Sequence, residues 1–145
     1  MTPVVYPSTR YAPPILRDIS SKEERERLSP SALEAFFNII DCWDIRDEDA
    51  RQLLGGMSNG PYYQTKKSPS QRTLDADEFL RVSYLIGIFK ALNILHSEGL
   101  ADKWINLPNR NPIFKGVTPL EYMLRGGIPA MQTVRRLLDA RRGGL

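Results

Sequence analysis

The run DADEFLRVSYLIGIFKALNIL, from Asp75 to Leu95, restricts the folds open to this chain more than any other stretch. Asp75 followed three residues later by Glu78 is the pattern of a capping box, so a helix opens there. Behind it, Phe79, Val82 and Ile86 recur on one side of that helix, and Leu85, Leu92 and Leu95 on another. A helix apolar on more than one face is the central post of a domain, or shares a face with a second copy of the chain. Helical periodicities flank it on both sides, and neither a strand nor an internal repeat is legible. The fold class is all-α.

Upstream, Ser29-Pro30 reads as an N-cap with proline at the first helical position. Leu33, Phe36, Phe37, Ile40 and Trp43 then form one apolar stripe. A second, short helix opens at Asp47, with Glu48 and Asp49 at its positive end, and stops at Gly55-Gly56. Ser58 can cap a third, which tolerates Gly60 and Pro61 in its first turn and ends near Lys67. Downstream lie a short helix from Leu100 to Asn106 and a loop, PNRNPIFKG. Thr118-Pro119 then opens the helix PLEYMLR, and after a Gly126-Gly127 break a last helix begins at about Ile128.

Three parts follow. Residues 1–27 hold four prolines and the mixed-charge run SSKEERER, without apolar periodicity before Leu28, and read as a mobile arm, although Lys22 to Arg27 can extend a helix. Residues 28–95 form a helix-turn-helix-containing domain with the long central helix. Residues 96–145 form a small helical C-terminal domain.

A content of 41% hydrophobic and 26% charged residues is that of an ordinary globular chain and argues against wholesale disorder. The net charge of +3 is a weak pointer to nucleic acid, but its distribution says more. Residues 57–72 carry Lys66, Lys67 and Arg72 with no acid, and residues 128–145 carry Arg135, Arg136, Arg141 and Arg142 against Asp139 alone. One cysteine excludes an intramolecular disulfide. No stretch nears the roughly 18 apolar residues of a membrane span, and the N-terminus lacks an apolar run of signal length. A cytoplasmic protein is expected.

Two short helices joined by a few residues with glycine are the geometry that offers the second helix to the major groove of DNA. Ser58, Asn59, Tyr62, Tyr63, Gln64, Lys66 and Lys67 are the candidate DNA contacts. Asn59 or Gln64 can pair an adenine edge, and the lysines suit phosphates. The bland alternative is a helical turn with a solvated face.

In the C-terminal third, Ile113, Phe114, Leu120, Tyr122 and Met123 have the look of packing residues, and Met131, Val134, Leu137 and Leu138 form one stripe of the last helix. Arg135, Asp139 and Arg142, spaced four and three, share a neighbouring face where ion pairing is possible. Either this is a solvated edge, or the face and its tail enter a partner's pocket, work for which the planar, bidentate guanidinium is suited.

The pattern LLGG-(M)-SNGPYYQTKK, then DEFLRVSYLIGIFKALNIL, then W-(x)4-PNRNPIFKG-(x)-TPLEYMLRGG-(x)7-VRRLLDARRGG resembles the antitoxins of the Xre/MbcA/ParS family, over about Leu28 to Leu145. The resemblance implies an N-terminal Xre-like helix-turn-helix that often dimerises and represses its own operon at operator DNA. It also implies a C-terminal domain that binds a RES-domain toxin and blocks its NAD pocket. Trp104, Asn109, Pro112, Phe114 and Gly116 match the family's loop, and Leu120, Gly126 and Gly127 its short helix and break. Arg135 to Gly144 match the segment expected at the toxin's active site. The toxin-binding candidates are Phe114 and Met123 as apolar anchors, with Arg135, Arg136, Asp139, Arg141, Arg142, Gly143, Gly144 and Leu145.

Little else promises chemistry. His96, the one histidine, closes the long helix, where the dipole favours it. Cys42 beside Trp43 reads as a small buried hydrophobe. The acids Asp41, Asp44, Asp47, Glu48 and Asp49 lack the glycine and ligand periodicity of a calcium loop and read as capping and solvation. No catalytic set, metal site or cofactor is expected. A helix-turn-helix regulator without a toxin partner is the alternative function, although it gives no reason for the PNRNPIFKG-to-GGL pattern.

Overall fold

The computed structural model describes residues 18–143. Residues 1–17 of the expected arm, together with Gly144 and Leu145, lie outside the described residues. The order is α1 (Lys22–Cys42), α2 (Asp47–Leu53), α3 (Asn59–Lys67), a 3-10 turn (Pro69–Gln71), α4 (Ala76–Leu95), α5 (Glu98–Trp104), a second 3-10 turn (Pro112–Phe114) and α6 (Pro119–Arg142).

The first helix starts earlier than Ser29-Pro30 suggests. Ser21 is its N-cap, accepting from the Glu24 N–H at 3.3 Å, and Pro30 lies inside the helix. Ser29 is fully buried, and its hydroxyl accepts from the Leu74 N–H at 2.9 Å, which pins α1 to the entrance of α4. Pro30 removes the hydrogen bond to the Glu26 carbonyl, but Glu26 is exposed, so water can replace it. Residues 22–27 therefore belong to α1 and not to an arm. Arg25 ties the same corner down, donating to the carbonyls of Leu74 (3.1 Å) and Ile19 (2.6 Å).

Helix α4 is the post that its pattern predicts. The Asp75–Glu78 capping box is complete, and Val82, Leu85, Ile88, Ala91 and Leu92 are fully buried against α1, α5 and α6. Its apolar excess is thus met within one chain. The only large apolar side chain of α4 left exposed is Ile94, so the excess gives no argument for a second copy.

The loop PNRNPIFKG is folded by its own asparagines. Asn109 Oδ1 accepts from the Asn111 N–H (2.9 Å), and Asn111 Oδ1 accepts from the Ile113 N–H (3.1 Å), opening the second 3-10 turn. That turn buries Phe114 edge-on between Trp104 and Tyr122, with ring centroids 6.1 and 5.2 Å away. Thr118 then caps α6, with Pro119 at its first position. The expected glycine break is a kink: Gly127 has φ 64° and ψ −145°, dividing α6 into two helical pieces.

Candidate functional site

Helices α2 and α3 with the intervening turn at Gly55-Gly56 form the expected helix-turn-helix, and the rotation of α3 decides what it can offer. Tyr62 and Thr65 point inward. Tyr62 is fully buried, edge-on to Phe37 at 5.8 Å, and its hydroxyl donates to Asp47 Oδ1 at 2.7 Å. As a DNA contact Tyr62 is therefore corrected: it is the strut that fixes α3 on α1 and α2. Ser58 occupies the N-cap position, but its exposed hydroxyl makes no capping bond. Asn59, Gly60, Tyr63, Gln64 and Lys67 are left on the exposed side of α3.

The lysines are not equivalent. Lys66 Nζ donates to Asp47 Oδ1 at 2.8 Å, whereas Lys67 has no ion-pair partner among the described residues. Lys66, then Tyr62, hold the Asp47 carboxyl below its ordinary range. The same carboxylate raises Lys66, while burial and then Asp47 push the Tyr62 phenol well up.

Sequence reading left out Gln71 and gave Arg72 no place in the site. The structure sets both beside Gln64, where they line a cleft of about 530 Å³ with Gly60, Pro61, Thr65 and Ser68. Arg72 is held there by Glu78 of the capping box, at 3.0 Å, and its buried Nε has no hydrogen-bond partner. The stretch 57–72 contains no acid, yet Asp47 and Glu78 reach it from outside.

The second surface is the end of α6. Asp139 pairs with Arg135 (2.9 Å) and Arg142 (3.8 Å), as their spacing predicts. Arg135 is mostly covered, because its guanidinium lies across Gly87 of α4: a Cβ built there would sit 1.6 Å from Nη1. Its role in the free chain is to join α6 to α4. Arg136 and Arg141 are exposed and have no ion-pair partner among the described residues. A cleft of about 510 Å³ is lined by Ile94, Arg135, Asp139, Arg142 and Gly143, which adds an apolar rim, Ile94, that sequence reading missed. Exposed at 62%, it lies late in the helix identified as the core post, so nothing local marks it.

Phe114 and Met123 need correction as apolar anchors. They are 0% and 1% exposed, Phe114 in the 3-10 turn and Met123 on the inward face of α6, and as core residues they cannot reach a partner without unfolding. Leu145 and Gly144 lie outside the described residues.

Near the Gly127 kink, Gln52 of α2 donates to the Leu124 carbonyl at 3.0 Å, which ties the helix-turn-helix to the first half of α6. Elsewhere, His96 ends α4 as its C-cap residue, with its Nε2 buried and unpartnered. Cys42 is half-buried rather than buried, and desolvation followed by Asp102 and Asp41 raises its thiol, which disfavours a reactive thiolate. Among the described residues no group of three or more His, Cys, Asp or Glu is placed to hold a metal ion, and no helix is long and apolar enough to cross a membrane.

Residues 24–87 match the family model of the antitoxin Xre-like helix-turn-helix domain, and residues 90–144 that of the antitoxin Xre/MbcA/ParS C-terminal toxin-binding domain. The chain is 41% identical over 116 residues to the uncharacterized protein y4oB of Sinorhizobium fredii, covering 79% of this chain and 87% of that protein. No solved structure matches it.

Proposed function

Since the chain belongs to the Xre/MbcA/ParS family of antitoxins, which act by binding and not by catalysis, we propose that it neutralises a RES-domain, NAD-consuming toxin and represses its own operon. In this reading the distal end of α6 enters the toxin's active site. The observation that carries it is the pair Arg136 and Arg141, exposed and without ion-pair partners among the described residues, at the end of a helix packed on α4. Such guanidinium groups are free to pair with carboxylates or carbonyl oxygens that line a partner's pocket. Arg135 supports this from behind.

Removal of Arg141 to Leu145 should lose inhibition of the toxin more than it loses complex formation. Co-purification and NAD turnover measured on the same truncated protein check this. Equal loss of both would count against a tail that plugs the site.

For operator DNA, α3 would present Asn59, Gln64 and Lys67, with Gln71 and Arg72 beside them. Lys67→Ala should weaken binding across sequences and reduce the slope of log K against log salt by about one, as loss of one phosphate contact does. A changed base preference at unchanged slope would instead make Lys67 a base reader. Titration of operator duplex at several salt concentrations separates the two.

A further inference from the structure

Three donors of α3 turn back onto one carboxylate of α2. Asp47 Oδ1 accepts from the Tyr62 hydroxyl at 2.7 Å and from Lys66 Nζ at 2.8 Å, and Oδ2 accepts from the Tyr63 hydroxyl at 3.4 Å. Tyr62 is buried and needs a partner, which explains one of the three. Lys66 and Tyr63 are surface groups, 40% and 50% exposed, and water would satisfy them. On a helix that faces a duplex, an ammonium and a phenol at the surface are the groups that pair with phosphate oxygens. Here a carboxylate already occupies the place of that oxygen. Asp41 adds a further negative charge near Lys66 and Tyr62.

We propose that Asp47 sets the strength and salt dependence of DNA binding at the α3 face by holding Lys66 away from the DNA backbone. This rests on the operator-binding reading above. Backbone contacts add affinity for every sequence alike, so a lysine withheld from them lowers binding to every duplex by the same factor without touching the base contacts. Discrimination then falls to Asn59 and Gln64. Lys66 is a latent contact, present in the sequence and neutralised in the fold.

The test uses Asp47→Asn in the full chain. An amide keeps the shape and can still accept from the Tyr62 hydroxyl, and thermal unfolding verifies the fold. Binding to a random-sequence duplex and to the DNA upstream of the operon is followed by fluorescence anisotropy at several salt concentrations. Asp47→Asn should tighten binding to both duplexes by the same several-fold factor at low salt and steepen the salt slope by about one, leaving the preference between them unchanged. Lys66→Ala alone should leave the wild-type slope unchanged, yet cancel the gain in the Asp47→Asn background. Glu48→Gln, which removes a charge of the same helical turn, should give a smaller gain that does not depend on Lys66.

The proposal is overturned if wild type binds DNA and Asp47→Asn has the same slope. A Lys66→Ala variant that already loses one unit of slope overturns it equally. If neither wild type nor Asp47→Asn binds any duplex at low salt, the DNA reading fails and takes this proposal with it.

Discussion

Phe114→Ala should lower the stability of the free chain by about 3–5 kcal/mol, the cost of removing a large, fully packed aromatic side chain. The ring is wholly buried between Trp104 and Tyr122, and nothing beside it can collapse without moving the 3-10 turn that begins the approach to α6. Domains of this kind have about 5–15 kcal/mol in total, so the variant should be marginal. Denaturant unfolding of the chain without partner measures it. The result also decides between two roles: a partner anchor would leave the free chain's midpoint unchanged and weaken only the complex, whereas a core residue shifts the midpoint first.

Gly127→Val is expected to be comparably damaging for a different reason. Backbone at φ 64° and ψ −145° is open in practice to glycine alone, and forcing a β-branched residue there costs about 1–3 kcal/mol before any change in packing. Straightening α6 offers no escape. Pro129 lacks the N–H that would complete the helix, its ring would press on the Arg125 carbonyl, and the Gln52 bond to Leu124 would be lost. The distal half of α6 should therefore swing away from α4, taking Arg135 off Gly87 and moving Arg136 and Arg141 with it. Thermal unfolding and partner binding should both suffer. Gly99→Ala, at a glycine with open space around it, is the control and should change neither. Unaltered stability in Gly127→Val would mean that the kink is not held by its backbone.

What could be read from the sequence follows from how far each signal reaches along the chain. The Asp75–Glu78 box, the stripe Leu33 to Trp43, the Thr118 cap and the Gly55-Gly56 stop are local patterns, and the elements stand where they point; Ser58 marks the start of α3 without capping it. Ser29-Pro30 is an equally good local signal that misplaces a helix start. The hydroxyl that could have capped a helix bonds Leu74 N–H instead, across 45 positions of sequence. The candidate DNA face was legible as a segment but not in its rotation. Only the distant partners Phe37 and Asp47 turn Tyr62 inward and remove Lys66 from the free charges. Likewise, the spacing of Arg135, Asp139 and Arg142 reveals their pairing, whereas Gly87, on another helix, is what makes room for Arg135. Phe114 and Met123 carried matches or chemistry that suited an interface, yet apolar residues on either side of a helix start are more simply explained as its core.

NAD turnover by a RES-domain toxin, the partner proposed above, measured as purified full-length chain is titrated in, tests the central claim most directly. The account predicts that turnover falls to zero at a fixed ratio of chain to toxin and returns when Arg136 and Arg141 are both replaced by glutamate. Full turnover in the presence of excess folded chain would contradict it.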